Sequence, residues 1–113
     1  MAALLLGAVL SASLLMSTAA LARPGAVVAP TATKMVSIKD FFFSPKALTV
    51  AKGTRVKWTN MGSVTHTTTS NTGLWSKMLP PGQSFSRVFN TAGTFKYHCM
   101  IHPTMTGKIQ VTG

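Results

Sequence analysis

The chain has 113 residues, 46% of them hydrophobic, and sets eleven Lys and Arg against one acid, Asp40, for a formal charge of +10. That length holds one compact domain and not two, and a single cysteine, Cys99, excludes an intramolecular disulfide framework. Nucleic acid is the usual partner of so basic a domain, yet no recognition motif accompanies the charge and an export signal argues against it.

Met1 to Ala22 is almost wholly apolar or small and closes with Ala20-Leu21-Ala22. It resembles a secretory signal with an A-x-A cleavage site, although no Lys or Arg marks its start. Cleavage after Ala22 leaves 91 residues. Contact with a membrane is expected only if this segment, near the roughly 18 to 20 apolar residues of a span, stays uncleaved. Residues 23–33, rich in Pro, Ala and Val without period, read as a flexible leader, and the folded domain is expected over 34–113. The expected compartment is the periplasm or the exterior. There, a charge of this sign suits acidic protein partners or an anionic surface, or serves solubility alone.

Short alternating runs separated by Gly, Pro and Asn predict an all-β domain, because no stretch sustains a 3.6-residue apolar period. Val36 and Ile38 alternate with Ser37 and Lys39 in the first strand, and Leu48 to Val50 resumes after Ser44-Pro45. Past the turn Ala51-Lys52-Gly53-Thr54, Val56 and Trp58 face the core while Arg55, Lys57 and Thr59 face water. His66 then opens the β-branched run Thr67-Thr68-Thr69. Pro80-Pro81-Gly82 introduces a strand from Ser84 to Asn90, in which Arg87 takes an inward position between Phe85 and Phe89. A bulge or a snorkelling side chain would accommodate it. Ala92-Gly93 turns the chain into Thr94–Cys99, and Gly107 to Thr112 forms the last strand. Period 2 puts Phe95, Tyr97 and Cys99 on one face and Lys96 and His98 on the other, so His98 is read as a surface residue.

Cys99 stands three residues before His102 and six before Met105. A thiolate, an imidazole and a thioether on one short loop suit copper, which must be held as both Cu(I) and Cu(II); structural zinc would want more Cys or His and has little use for Met. A lone thiol in an exported protein also asks for an explanation, and ligation supplies one. With His98 turned away, the second imidazole is expected from His66.

Phe43-Ser44-Pro45, Trp58-Thr59-Asn60, the isolated His66, Pro81-Gly82-Gln83-Ser84-Phe85, Ala92-Gly93-Thr94-Phe95 and Tyr97-His98-Cys99 together resemble a cupredoxin of the plastocyanin/azurin family. The short Cys-x-x-His-x-x-Met loop, with Pro103 directly after the histidine, resembles the amicyanin subgroup most. The resemblance implies a single-domain Greek-key β-sandwich with one type 1 copper ion, ligated by His66, Cys99, His102 and a weak axial Met105. It further implies a monomeric carrier of single electrons between redox partner proteins, not an enzyme, with His102 exposing its ring edge through an apolar patch. Met61, Met100, Ile101 and Pro103 are candidates for that patch. Thr67 replaces the Asn that the family carries after its first histidine. An extracytoplasmic copper carrier or storage protein would use the same soft ligands. A Cys-nucleophile enzyme is the weaker rival, since the only acid, Asp40, is distant in sequence from every histidine.

Overall fold

The computed structural model describes residues 32–113, so the expectations for Met1–Ala22 and for nearly all of the leader lie outside the described residues. Among the described residues nine strands follow in order: β1 (Thr33–Lys39), β2 (Phe42–Ser44), β3 (Ala47–Ala51), β4 (Thr54–Asn60), β5 (His66–Ser70), β6 (Ser76–Leu79), β7 (Ser84–Phe89), β8 (Gly93–His98) and β9 (Thr106–Thr112). They form two sheets, β2-β1-β4-β7 and β3-β9-β8-β5-β6. The chain crosses repeatedly from one to the other. Parallel pairing of β1 with β4 and of β3 with β9 makes both sheets mixed. This is the all-β sandwich that the alternating runs predict. The short strands β2 and β6 were not anticipated, because Phe41-Phe42-Phe43 and Ser76-Lys77-Met78-Leu79 carry little alternation of their own.

Alternation decides what is buried. Val36, Ile38, Val56, Trp58, Tyr97, Ile109 and Val111 point between the sheets, and Trp58 sits at the centre with Trp75, Phe85, Phe89 and Tyr97 around it at centroid distances of 5.5–6.3 Å. Each large side chain removed from water stabilises the fold by roughly 1.5–3 kcal/mol. Among the described residues fourteen hydrophobic side chains are buried, and all but Cys99 and Met105 lie outside the Cys99–Met105 loop, which gives the sandwich a source of stability that involves no ion. Gly107 pairs with Tyr97 across β8 and β9, and a Cβ there would lie 2.5 Å from Tyr97 Cζ, so the phenol ring occupies the space that a larger residue would need. Burial pushes the Tyr97 hydroxyl up to about 12.

Arg87 resolves without a bulge. Pairing of β4 with β7 is continuous from Thr54↔Phe89 to Thr59↔Ser84, and the guanidinium lies over the rings of Trp75 and Phe89 at 5.1 and 5.0 Å. Its aliphatic stem covers apolar surface while its charge meets the π faces.

The topology collects one set of chain turns at one end of the sandwich. Parallel pairing of Ile38 with Asn60 places the β1–β2 turn beside the β4–β5 loop. Antiparallel pairing of Thr69 with His98 and of His98 with Thr106 brings the start of β5, the end of β8 and the start of β9 to the same place.

Candidate metal centre

Three donors converge at that end. Cys99 Sγ lies 3.8 Å from His66 Nδ1 and 3.7 Å from His102 Nδ1, and the two Nδ1 atoms are 3.2 Å apart. For bonds of about 2.0 Å to nitrogen and about 2.3 Å to sulfur, ligands between the tetrahedral and trigonal limits sit roughly 3.3–3.7 Å from one another. The triangle thus matches a single first-row ion. Two imidazoles and one thiolate suit copper by softness as well as by spacing.

Two elements hold the donors: the start of β5 carries His66, and the β8–β9 loop carries Cys99 and His102. His66 is the first residue of β5 and is fully buried. The loop before it is tied from beneath by Asn60, whose amide donates to the carbonyls of Val64 and Leu79 and whose Oδ1 accepts from Gly62 N–H. Cys99 follows β8 and is also fully buried. His102 and Met105 belong to the loop between β8 and β9, which closes on itself: Met105 N–H donates to His102 O at 2.9 Å, and Cys99 N–H donates to Met105 O at 3.0 Å. Met105 is buried.

The surroundings of the sulfur favour its thiolate form. Burial pushes the Cys99 thiol up, but hydrogen bonding to the sulfur, that of Thr67 N–H at 3.3 Å foremost, outweighs it and brings the group down to about 6. Thr67 also compensates for the absent Asn. Its Oγ1 accepts from Met100 N–H at 2.8 Å, tying the His66 strand to the Cys99 loop. His98, as alternation predicts, turns outward, with its Nδ1 2.6 Å from Asn71 Oδ1.

The residue that sequence reasoning missed is Asp40. Its Oδ1 lies 2.6 Å from His66 Nε2, and its Oδ2 accepts from Ser63 N–H and Ser63 Oγ–H, both at 2.8 Å. These donors, that of Ser63 N–H foremost, hold the carboxyl far below its ordinary range. Asp40 is thus distant in sequence from every histidine but touches one in space. The neighbouring Phe41 packs edge-on against His66 at 5.9 Å and His102 at 4.8 Å. No local spacing links residue 40 to residue 66. Only the parallel β1–β4 register does, and its one trace in the sequence is Gly62, where a Cβ would collide with the Asp40 carboxylate.

Phe41, which packs against both imidazoles, is exposed, as are Phe42, Met61, Met100 and Ile101.

Comparison with known proteins gives the same picture. Residues 6–111 match the family model described as "Cupredoxin-like domain". The amicyanin-alpha of Methylorubrum extorquens is 32% identical over 89 residues, covering 74% of this chain and 75% of that protein. The amicyanin of Paracoccus denitrificans is 31% identical over 83 residues, covering 68% of this chain and 63%, just under two thirds, of that protein. Among solved structures, a purple cupredoxin from Nitrosopumilus maritimus superposes with a TM-score of 0.64 at 32% identity, covering 69% of this chain and 98% of its own. A reduced-state amicyanin mutant gives 0.63 at 32% identity, covering 75% of this chain and 86% of its own.

Proposed function

Because the chain belongs to the cupredoxin family, we propose that it carries single electrons between redox proteins outside the cytoplasm and catalyses no reaction of its own. The proposed ligands are His66, Cys99 and His102, with Met105 as a weak axial donor. The observation that carries this reading is the triangle of Cys99 Sγ, His66 Nδ1 and His102 Nδ1. Copper bound there supplies the Cu(II)/Cu(I) couple. The protein holds the donors at fixed spacing through Thr67, Asn60 and the closed Cys99–Met105 loop, so little need move when the charge changes. Burial of Cys99 and His66 keeps water from the sulfur, while His102, half-buried, packs against the exposed Phe41 and follows the exposed Met100 and Ile101 in the chain.

In this reading residues 1–22 act as a signal cleaved after Ala22, 23–33 as a leader, and 34–113 as the copper domain, working as a monomer in the periplasm or beyond it. The partner is acidic. Asp40 is committed to His66 and Ser63, so cationic side chains dominate the charge left on the surface. Lys46, Lys96 and Lys108 line one open concavity with Asn71 and Thr106, beside the strand that leads to Cys99. Attraction of this kind accelerates encounter and is screened beyond a Debye length, about 8 Å at physiological ionic strength. In stopped-flow reduction by an acidic donor protein, the second-order rate is expected to fall steeply across a salt series. A rate flat or rising with salt for every competent donor would assign the charge to solubility.

Met105→Leu is expected to retain copper and raise the reduction potential on voltammetry, since a weak donor to Cu(II) is lost and its surroundings become more apolar. An unchanged potential would remove Met105 from the axial position.

A further inference from the structure

His66 turns Nδ1 toward the other two donor atoms, and a neutral imidazole can ligate a metal through Nδ1 only if its proton sits on Nε2. The atom facing Nε2 is Asp40 Oδ1, at 2.6 Å. The carboxylate's other oxygen is held by two donors from Ser63, and the side chain is mostly covered, with 23% of its area exposed. The turn of β1 into β2 approaches this closely because residue 62 has no Cβ. The backbone backs the contact, with Met61 N–H donating to Ile38 O at 2.8 Å. Asp40 is also the chain's only acid, spent on a histidine in a protein of charge +10.

We propose that Asp40 is a positioning residue for the metal centre: it fixes His66 in the Nε2–H tautomer, aims Nδ1 at the donor triangle and adds a negative charge behind the ligand that favours Cu(II) over Cu(I). The inference rests on the copper reading for its redox part and on the apoprotein geometry for its tautomer part. Partners of ligating imidazoles that are hydrogen-bonded in this way typically set affinity by about 10- to 100-fold. A localised charge acts more on the doubly charged ion than on the singly charged one.

The test uses Asp40→Asn, which keeps the shape and an oxygen acceptor but not the charge, and Asp40→Ala, which removes both. In the copper-free full chain, ring 15N shifts of His66 are expected to report the Nε2–H tautomer in the wild type and in Asp40→Asn, and a mixture or the Nδ1–H form in Asp40→Ala. With copper added, Asp40→Asn is expected to weaken Cu(II) binding about tenfold with Cu(I) binding little changed. That ratio raises the potential by about 59 mV for a one-electron couple. A His66 tautomer unchanged in Asp40→Ala would overturn the positioning role, and a Cu(II)/Cu(I) affinity ratio unchanged in both variants would overturn the electrostatic one. Should Asp40→Ala fail to fold, the milder Asp40→Asn still decides the charge effect. A wild-type chain that bound no copper would contradict the electron-carrier reading alone, because the tautomer of the apoprotein would still decide what Asp40 does.

Discussion

Cys99→Ser is expected to lose the intense thiolate-to-Cu(II) absorption completely while keeping its fold. The sulfur is the only thiolate in the chain, and the other donors near it, two imidazoles and the thioether of Met105, cannot supply that charge-transfer transition. A serine hydroxyl stays protonated near neutral pH, so the variant lacks both the soft donor and its charge. The fold has little reason to fail. Serine is nearly the size of cysteine, its oxygen can accept from Thr67 N–H as Sγ does, and the aromatic cluster around Trp58 is made by residues outside the loop. Most single substitutions cost about 1 kcal/mol, and a larger loss needs a cavity or an orphaned polar group. Absorption and circular dichroism of the copper-loaded variant check both halves. A surviving intense band would remove Cys99 from the site.

His66 and His98 make the second large contrast. His66→Ala is expected to destroy the thiolate–copper spectrum and weaken binding by more than the 10- to 100-fold typical of an outer partner. It should also destabilise the chain by roughly 1–3 kcal/mol, since a fully buried ring is removed and Asp40 loses its partner. His98→Ala is expected to leave the spectrum nearly unchanged and stability within about 0.5 kcal/mol, because its ring faces Asn71 on the outer side of β8. Copper titration and denaturant unfolding of the two proteins separate them. Loss of copper by the His98 variant with retention by the His66 variant would reverse the register of β8.

That contrast shows why part of the centre could be read from the chain. Cys99, His102 and Met105 lie on one loop, so their spacing is local, and the outward turn of His98 follows from period 2 alone. His66 needed one further step, the scarcity of histidines. Trp58 and its neighbours on β4 were equally legible, because a strand with one wet and one dry face declares itself by alternation. Asp40 was not. Its contact depends on the parallel register of β1 with β4, and nothing near residue 40 encodes the position of residue 66. Arg87 was legible as an anomaly but not as a solution, since the rings of Trp75 and Phe89 that receive it come from other positions in the fold. β2 and β6 are edge strands whose pairing is set by their neighbours more than by their own pattern. Thr67 shows a different limit: the sequence marks a missing Asn, while only the fold reveals a hydroxyl reaching Met100 N–H and a backbone amide reaching the sulfur.

The central claim is that His66, Cys99 and His102 hold one copper ion that cycles between two oxidation states. Its most direct test is the visible and electron paramagnetic resonance spectrum of the purified chain loaded with one equivalent of Cu(II), followed by reduction and reoxidation. The expected result is an intense thiolate charge-transfer band that bleaches on reduction and returns on oxidation, with stoichiometry of one copper per chain. A colourless protein that binds only Cu(I), or a weakly absorbing Cu(II) site of tetragonal nitrogen and oxygen ligation, would contradict it.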